Sequence, residues 1–415
     1  MSRNKKISSV VGNFPSITGT FVTNQIIAAI NAGYIVKVYA RQISPSQESS
    51  QENLIKQYNL LNYCIPIQFS FNKIKRLKQV LKILSKKGSP AFYLLFQFIK
   101  ACRFGFDGLG VYNFLRTASF LGDDSYIYHA QFGSNGRLLV EARQAGVIKG
   151  KIITTFHGID ASSSNFLTTE ELKKYYQALF RTGDLFTANT PYLAEQVASL
   201  GCPRDKLQIL PMGVDTSFFR PKKFRNSIDN TVKLLSVGRL ISWKSFDLGI
   251  MAVQELISEG LSIHYTIIGD GNQKGYLFDL VERQGLTSHV TFTGTLNQQK
   301  VRDYMQNNDI FLMTSTYDEN FRREAQGVVT VEAQACGLPI CAFRSGGVPY
   351  TVSEGETGFL AEEKDLQAFT KNLRIIVEND ELRNEMSRKA RAFVEKNFSM
   401  DVCSNKLIQI YQSMD

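Results

Sequence analysis

Two glutamates, Glu324 and Glu332, bracket the stretch Ala325-Gln326-Gly327-Val328-Val329-Thr330-Val331. An apolar-periodic run that begins near Gly327 predicts a helix there. Gly337 supplies a left-handed stop, and Pro339 forbids further helix. Glu324 then sits in the loop ahead of this helix, and Glu332 about a turn and a half inside it. The backbone N–H groups of Gly327, Val328 and Val329 have no partner within the helix, and a helix N-terminus favours an anion. Amides that want an anion, set beside two carboxylates, suit a ligand carrying both phosphates and hydroxyls. A nucleotide sugar carries both. Spacing alone fits a solvated amphipathic helix equally well, so the surroundings decide.

Those surroundings are strand ends. Leu234-Leu235-Ser236-Val237-Gly238-Arg239-Leu240 reads as a buried strand ending in glycine and arginine, followed by Trp243-Lys244-Ser245. Tyr265-Thr266-Ile267-Ile268 runs into Gly269-Asp270-Gly271, and Phe292-Thr293-Gly294 runs into Thr295-Leu296. Asp309 to Met313 is a further strand, and Pro339 to Phe343 leads to Ser345-Gly346-Gly347-Val348-Pro349. Glycine or charge at the carboxyl ends of successive strands is what a nucleotide crevice in an open parallel sheet requires.

The first half of the chain repeats the plan. Lys6 to Val11 is β-rich, Gly12-Asn13-Phe14-Pro15-Ser16 is expected as a loop, Thr20 to Asn31 as an amphipathic helix, and Tyr34 to Ala40 as the next strand. This is a doubly wound opening, with Gly12 where backbone passes close to a ligand. Tyr126 to Ala130 and Lys151 to Phe156 are further strands, ending near His129 and His157. A lone histidine is more often structural than catalytic. Asp184 to Ala188 and Leu207 to Leu210 complete the first sheet. Pro211 to Asp215 and the polar run Arg220 to Asn230 mark a linker. The expected organisation is α/β, with one Rossmann-like domain over 1–215, a second over 216–399, and a final helix from Met400 to Met414.

The chain resembles the retaining glycosyltransferases of family four, whose GT-B architecture sets two doubly wound Rossmann-like domains around a cleft. The residues that carry the resemblance are Gly238-Arg239 with Lys244, Gly269-Asp270-Gly271, Glu324 with Glu332, Gly346-Gly347, Phe14-Pro15 and His157-Gly158-Ile159-Asp160. It extends over nearly the whole sequence, and within the family it is most similar to bacterial exopolysaccharide enzymes of the colanic acid and amylovoran type. The resemblance implies a nucleotide-diphosphate donor, taken as a UDP-sugar, and a growing saccharide acceptor on a polyprenyl-diphosphate carrier. It implies that Glu332 holds the ribose hydroxyls, that Glu324 contacts the transferred sugar together with nearby amides, and that His157 faces that sugar from the first domain. Thr295-Leu296 becomes the base-contact segment, and Gly271 joins the donor site. Gly12, Phe14 and His129 fall on the acceptor side. The final helix is expected to cross back and brace the first domain. Two positions depart from the pattern: Gly19 stands where relatives carry an acid, and Ala325 where they usually carry glycine.

Departure of a nucleotide diphosphate leaves negative charge on phosphate, which enzymes neutralise with a divalent metal or with fixed cations. No Asp-x-Asp pair occurs in the sequence. Arg239 offers a planar fork for phosphate oxygens and Lys244 a compact mobile charge. A metal-independent transfer needing no cofactor is therefore expected. Two other readings share these residues: a sugar-nucleotide epimerase or phosphorylase of similar architecture, and a basic peripheral binding protein whose crevice is idle.

At 415 residues the chain is too long for one core, and 43% hydrophobic content is that of an ordinary globular protein. No apolar run is long enough for a signal peptide or a membrane span, and the six cysteines show no metal or disulfide pattern. A cytoplasmic protein, peripheral at the inner membrane face, is expected. Charge is uneven. The first hundred residues hold fourteen Lys and Arg against Glu48 and Glu52, within a net charge of +10 for the whole chain. From Asn72 to Lys87, Ile74, Leu77, Leu81 and Leu84 recur at helical spacing among Lys73, Lys75, Arg76, Lys78, Lys82, Lys86 and Lys87. Aromatics follow at Phe92, Tyr93 and Phe96, so residues 72–100 suit either an anionic membrane surface or a solvated helix packed on its own domain. Nucleic acid is not expected, because no recognition motif accompanies the charge.

Overall fold

The computed structural model describes residues 5–16, 19–67, 72–103, 110–162, 167–222 and 231–414. Ile17 and Thr18, most of the expected linker run to Asn230, and the side chains of Lys73 and Arg76 lie outside what is described. The chain forms two compact units. The first comprises residues 1–188, 194–209 and 404–415, and the second 189–193 and 210–403. The boundary at 209/210 falls ahead of the expected residue 215.

The first unit holds β1 (Lys6–Phe14), β2 (Ile35–Ile43), β3 (Cys64–Pro66), β4 (Ile127–Gln131), β5 (Lys151–Phe156), β6 (Leu185–Ala188) and β7 (Leu207–Ile209) in one sheet. Its order is β3-β2-β1-β4-β5-β6-β7, and each neighbouring pair is parallel. Parallel sheets are covered on both faces, so their strands read as continuous apolar runs rather than alternating ones. All five residues of β4 are accordingly buried. The expected loop at 12–16 begins late, because β1 continues to Phe14 and pairs it with Ile43.

The second unit holds β8 (Val232–Val237), β9 (Ile263–Ile268), β10 (Val290–Gly294), β11 (Ile310–Met313), β12 (Ile340–Phe343) and β13 (Gly358–Ala361), in the order β10-β9-β8-β11-β12-β13. All its pairs are parallel too. β11 and β12 are wholly buried. One side of this sheet packs on Ile250, Val253, Leu256, Phe369 and Leu373, the other on Val331, Ala335, Leu338 and Val394.

In both sheets the chain order reverses beside the first strand, at β1/β4 and at β8/β11. Doubly wound sheets bind ligands outside the carboxyl ends of the strands at such a switch point. The last helix, Met400–Ser413, belongs to the first unit from residue 404 onward. There Tyr126 donates its hydroxyl to the Met414 carbonyl at 2.6 Å, and Tyr411 meets His129.

Candidate active site

In the second unit the residues singled out above gather at the carboxyl ends of β8 to β12. The helix of Glu332 runs from Val328 to Ala335, and Gly327 precedes it with φ +77°, a left-handed conformation that a side chain resists. Among the described residues the N–H groups of Gly327, Val328 and Val329 donate to nothing, as a helix start leaves them. The helix stops as expected, with Gly337 at φ +81° and Leu338 N–H donating back to the Ala333 carbonyl at 3.0 Å.

The loop ahead of this helix is clamped at three consecutive residues. Glu324 carbonyl accepts from Gly347 N–H at 2.8 Å, and Ala325 carbonyl accepts from the Thr190 hydroxyl at 2.7 Å. The Gln326 amide exchanges two hydrogen bonds with the Met212 backbone, at 2.8 and 2.9 Å. Gly347 is required for this closeness, since a Cβ there would lie 1.9 Å from the Ala325 oxygen. Ala325 itself has an ordinary negative φ, so the absence of glycine carries no backbone cost. Arg323, just upstream, grips Glu363 through its fork at 2.8 and 2.9 Å.

This rigid loop presents the Glu324 carboxylate to Lys244. The two form an ion pair, with side chains only 14% (Lys244) and 12% (Glu324) exposed, and Ser315 donates its hydroxyl to the same carboxylate oxygen at 3.3 Å. The turn bearing Lys244 is itself fastened. Thr314 donates to the Lys244 carbonyl at 2.8 Å, Thr316 N–H to the Trp243 carbonyl at 2.8 Å, and the Ser245 and Thr316 hydroxyls share a hydrogen bond. The Lys244 ammonium lies 4.7 Å from the centroid of the Trp243 ring. Sequence reasoning missed Ser315, Thr316, Gln326, Thr190 and the Arg323–Glu363 pair. The polar run Thr314-Ser315-Thr316 directly after an apolar strand was the one available signal.

Arg239, at the end of β8, is exposed, and its guanidinium makes no hydrogen bond or ion pair among the described residues. Gly271 backs onto this strand end, where a Cβ would lie 2.3 Å from the Leu240 oxygen. Thr295 is exposed and Leu296 half-buried beyond β10. Glu332 is half-buried, its carboxyl has no partner among the described residues, and burial pushes that carboxyl up to about 7.

That shift sets a pH expectation for the ligand-free protein. An unfolded glutamate has a pKa of about 4.3, so raising pH through the window from there to about 7 ionises Glu332 in the unfolded chain first and favours unfolding. The cost is absent below the window and complete above it. Glu332→Gln is therefore expected to stabilise the ligand-free protein at pH 8 and to be neutral near pH 4. Solvent screening at a half-buried site limits the gain to about 1–2 kcal/mol. Thermal unfolding at both pH values checks it, and equal gains at both would refute the assignment.

The first unit gathers a second set at the ends of its strands. His157, after β5, lies between Phe21 and Phe132, with ring centroids at 4.3 and 4.6 Å. Its Nε2 donates to Gln131 Oε1 at 2.9 Å, and its Nδ1 has no partner among the described residues. Burial, helped by the neighbouring His129, brings its pKa down to about 3, so the ring is neutral and the Nδ1 lone pair is buried. Asp160 fixes the backbone here by accepting from the N–H groups of Gly133, His157 and Gly158 at 2.9, 2.9 and 3.0 Å. Burial raises the Asp160 carboxyl, and those donors oppose it.

Two acceptor-side expectations meet a different environment. His129 is 1% exposed and uses both nitrogens internally, with the Tyr411 hydroxyl at 2.8 Å and the Thr155 hydroxyl at 2.7 Å. It has no atom left for a ligand, and its place is in the core. Phe14 is likewise 1% exposed, because the longer β1 turns it inward. Gly12 does face open space, with nothing within 4 Å of where a Cβ would stand.

Two switch-point sheets and an amide-lined helix start beside a paired lysine and glutamate define a GT-B glycosyltransferase. Residues 218–393 match the family model of glycosyl transferases group 1, and residues 110–218 match that of glycosyltransferase family 4. The chain belongs to these glycosyltransferases. It is 29% identical to the putative colanic acid biosynthesis glycosyltransferase WcaL of Escherichia coli, over 99% of this chain and all of that one. It is 28% identical to the amylovoran biosynthesis glycosyltransferase AmsK of Erwinia amylovora, with the same coverage. Its fold matches that of Anabaena HepE, solved with UDP and glucose, with a TM-score of 0.70, 16% identity, and coverage of 99% of this chain and 100% of that one.

Proposed function

We propose that this glycosyltransferase moves a sugar, with retention of anomeric configuration, from a UDP-sugar to a growing lipid-linked saccharide in exopolysaccharide assembly. The observation that carries the reading is the Lys244–Glu324 pair held beside the free amides at 327–329, with Arg239 unpaired among the described residues at the end of β8. In the transfer, the bond from the anomeric carbon to the phosphate oxygen breaks and a bond to an acceptor hydroxyl oxygen forms. Negative charge then grows on the departing diphosphate. Lys244, Arg239 and the helix amides supply fixed positive charge for it, with no reorganisation at the moment of reaction.

Glu324 contacts hydroxyls of the transferred sugar, and an arriving donor shares Lys244 with it. Glu332 holds the ribose. The family resemblance gives His157 a sugar hydroxyl as partner, and its neutral ring suits hydrogen bonding rather than moving a proton. The colanic acid and amylovoran names of the relatives support an exopolysaccharide product, and the UDP bound by the HepE fold supports the choice of base.

The test is a panel of UDP- and GDP-sugars, read by release of free nucleotide with and without EDTA. Slow hydrolysis of one UDP-sugar that survives chelation is expected. Loss in EDTA with recovery on added magnesium would overturn the metal-independent step. Return of an altered sugar nucleotide would make the protein an epimerase.

A further inference from the structure

The helix Lys73–Lys87 carries two apolar stripes, and only one of them is used. Val80 and Ile83 are buried in a cluster with Ala91 and Leu94 of the helix Ser89–Arg103 and with Phe114 and Leu115 of the helix Gly110–Ala118. Of the face the sequence pattern offered, Leu84 packs against this cluster, while Ile74, Leu77 and Leu81 remain 68%, 61% and 58% exposed. In the adjoining helix Phe92, Tyr93 and Phe96 remain 58%, 63% and 61% exposed, while Ala91 and Leu94 are buried. Six large apolar side chains thus stand in solvent within 23 residues, where a folded protein ordinarily shows them singly.

The charge beside them is of one sign. At 100° per residue, Lys78, Lys82 and Lys75 fall on the flank of the Ile74–Leu77–Leu81 stripe. These three and Lys86 are exposed and make no ion pair among the described residues. No acid occurs anywhere from Asn72 to Arg103. An apolar stripe that enters the headgroup boundary, flanked by lysines that reach lipid phosphates, is the makeup of an interfacial helix, and aromatic side chains favour the same depth. A packed protein partner would require acids facing those lysines and would cover the aromatics in a dry interface.

We infer that these exposed side chains, Ile74, Leu77 and Leu81 with Lys75, Lys78, Lys82 and Lys86 on their helix and Phe92, Tyr93 and Phe96 on the next, insert into an anionic lipid bilayer surface. The lysines draw the protein to the membrane and the apolar side chains hold it there. This rests on the lipid-linked acceptor of the proposed function, giving it a docking surface, but its test reads membrane binding and not turnover.

The experiment is cosedimentation of the full chain with phosphatidylglycerol-containing vesicles and with pure phosphatidylcholine vesicles, across a salt series. Wild type is expected to bind the anionic vesicles and to weaken as salt rises. Replacing Lys75, Lys78, Lys82 and Lys86 together by glutamine should weaken partition roughly 10²–10³-fold, at about 1 kcal/mol for each lysine. Replacing Ile74, Leu77 and Leu81, or Phe92, Tyr93 and Phe96, by serine should weaken it at least about tenfold. These side chains are 58–68% exposed and lie outside the buried cluster around Val80, so unfolding midpoints and nucleotide release from the donor should match wild type. Serine variants that bind as wild type does would show attraction without insertion, and the inference would fail. Equal binding to both vesicle types would remove the role of the lysines. Wild type that dimerises in solution while the serine variants stay monomeric would assign the face to a second copy instead. Intact vesicle binding with no donor hydrolysis would leave this inference standing and sink the proposed activity.

Discussion

Lys244→Ala is expected to lower turnover by roughly 10²–10³, and Arg239→Ala by a similar factor, the usual cost of deleting one preorganised electrostatic donor. The two variants should differ in stability. Lys244 neutralises Glu324 with both side chains largely removed from water, so Lys244→Ala leaves a carboxylate there without its cation. Its unfolding midpoint in urea should fall. Arg239 is exposed and unpaired among the described residues, so Arg239→Ala should unfold like wild type while losing the same order of activity. Steady-state rates at saturating donor, set beside the urea curves, check both halves. Wild-type turnover in either variant would remove that cation from the leaving-group role. A lost midpoint for Arg239→Ala would point to structure instead of chemistry.

The glutamates should separate binding from turnover. Glu332→Gln is expected to weaken free UDP by about 1.5–3 kcal/mol, the worth of a charge-assisted hydrogen-bond pair to ribose. The gap should narrow as pH falls below about 7, where the wild-type carboxyl itself becomes protonated. Glu324→Gln should keep UDP affinity within about twofold and lower turnover instead, since the transferred sugar is absent from the free nucleotide. Calorimetry with UDP and rate measurements with the sugar nucleotide decide between them. The reverse pattern would exchange the two roles. In Glu324→Gln the side-chain amide oxygen would still accept from the Ser315 hydroxyl, so loss of the clamped loop is not the expected cause of any effect.

Strand and helix positions were legible because their apolar patterns are local. β5 and the helix from Thr20 to Asn31 fall where the sequence put them. The helix start at Gly327 and its stop at Gly337 were equally plain, since a residue without Cβ marks a left-handed backbone wherever it occurs. The cluster of strand-end residues was legible for a related reason: in a doubly wound sheet the carboxyl ends of neighbouring strands meet at one edge whatever fills the loops. β3, three residues long and partly exposed, left no such pattern.

What the sequence could not carry was partnership across distance. Nothing near Lys244 announces that Glu324, eighty positions later, is its counter-ion, or that Gln326 answers the Met212 backbone. The same holds for His129. The local pattern put it near a strand end, as a ligand-facing histidine would be, yet it is the middle residue of β4 and Tyr411 arrives from the last helix to occupy its ring. Between Asn72 and Lys87 the local pattern offered Ile74, Leu77, Leu81 and Leu84 as one apolar face, but tertiary packing uses Val80 and Ile83 with only Leu84 of that set, leaving Ile74, Leu77 and Leu81 outside. Periodicity shows that a helix has apolar residues on a side. Which side is buried depends on the surface it meets, and here Phe114 and Leu115 of a helix about thirty residues downstream made that choice.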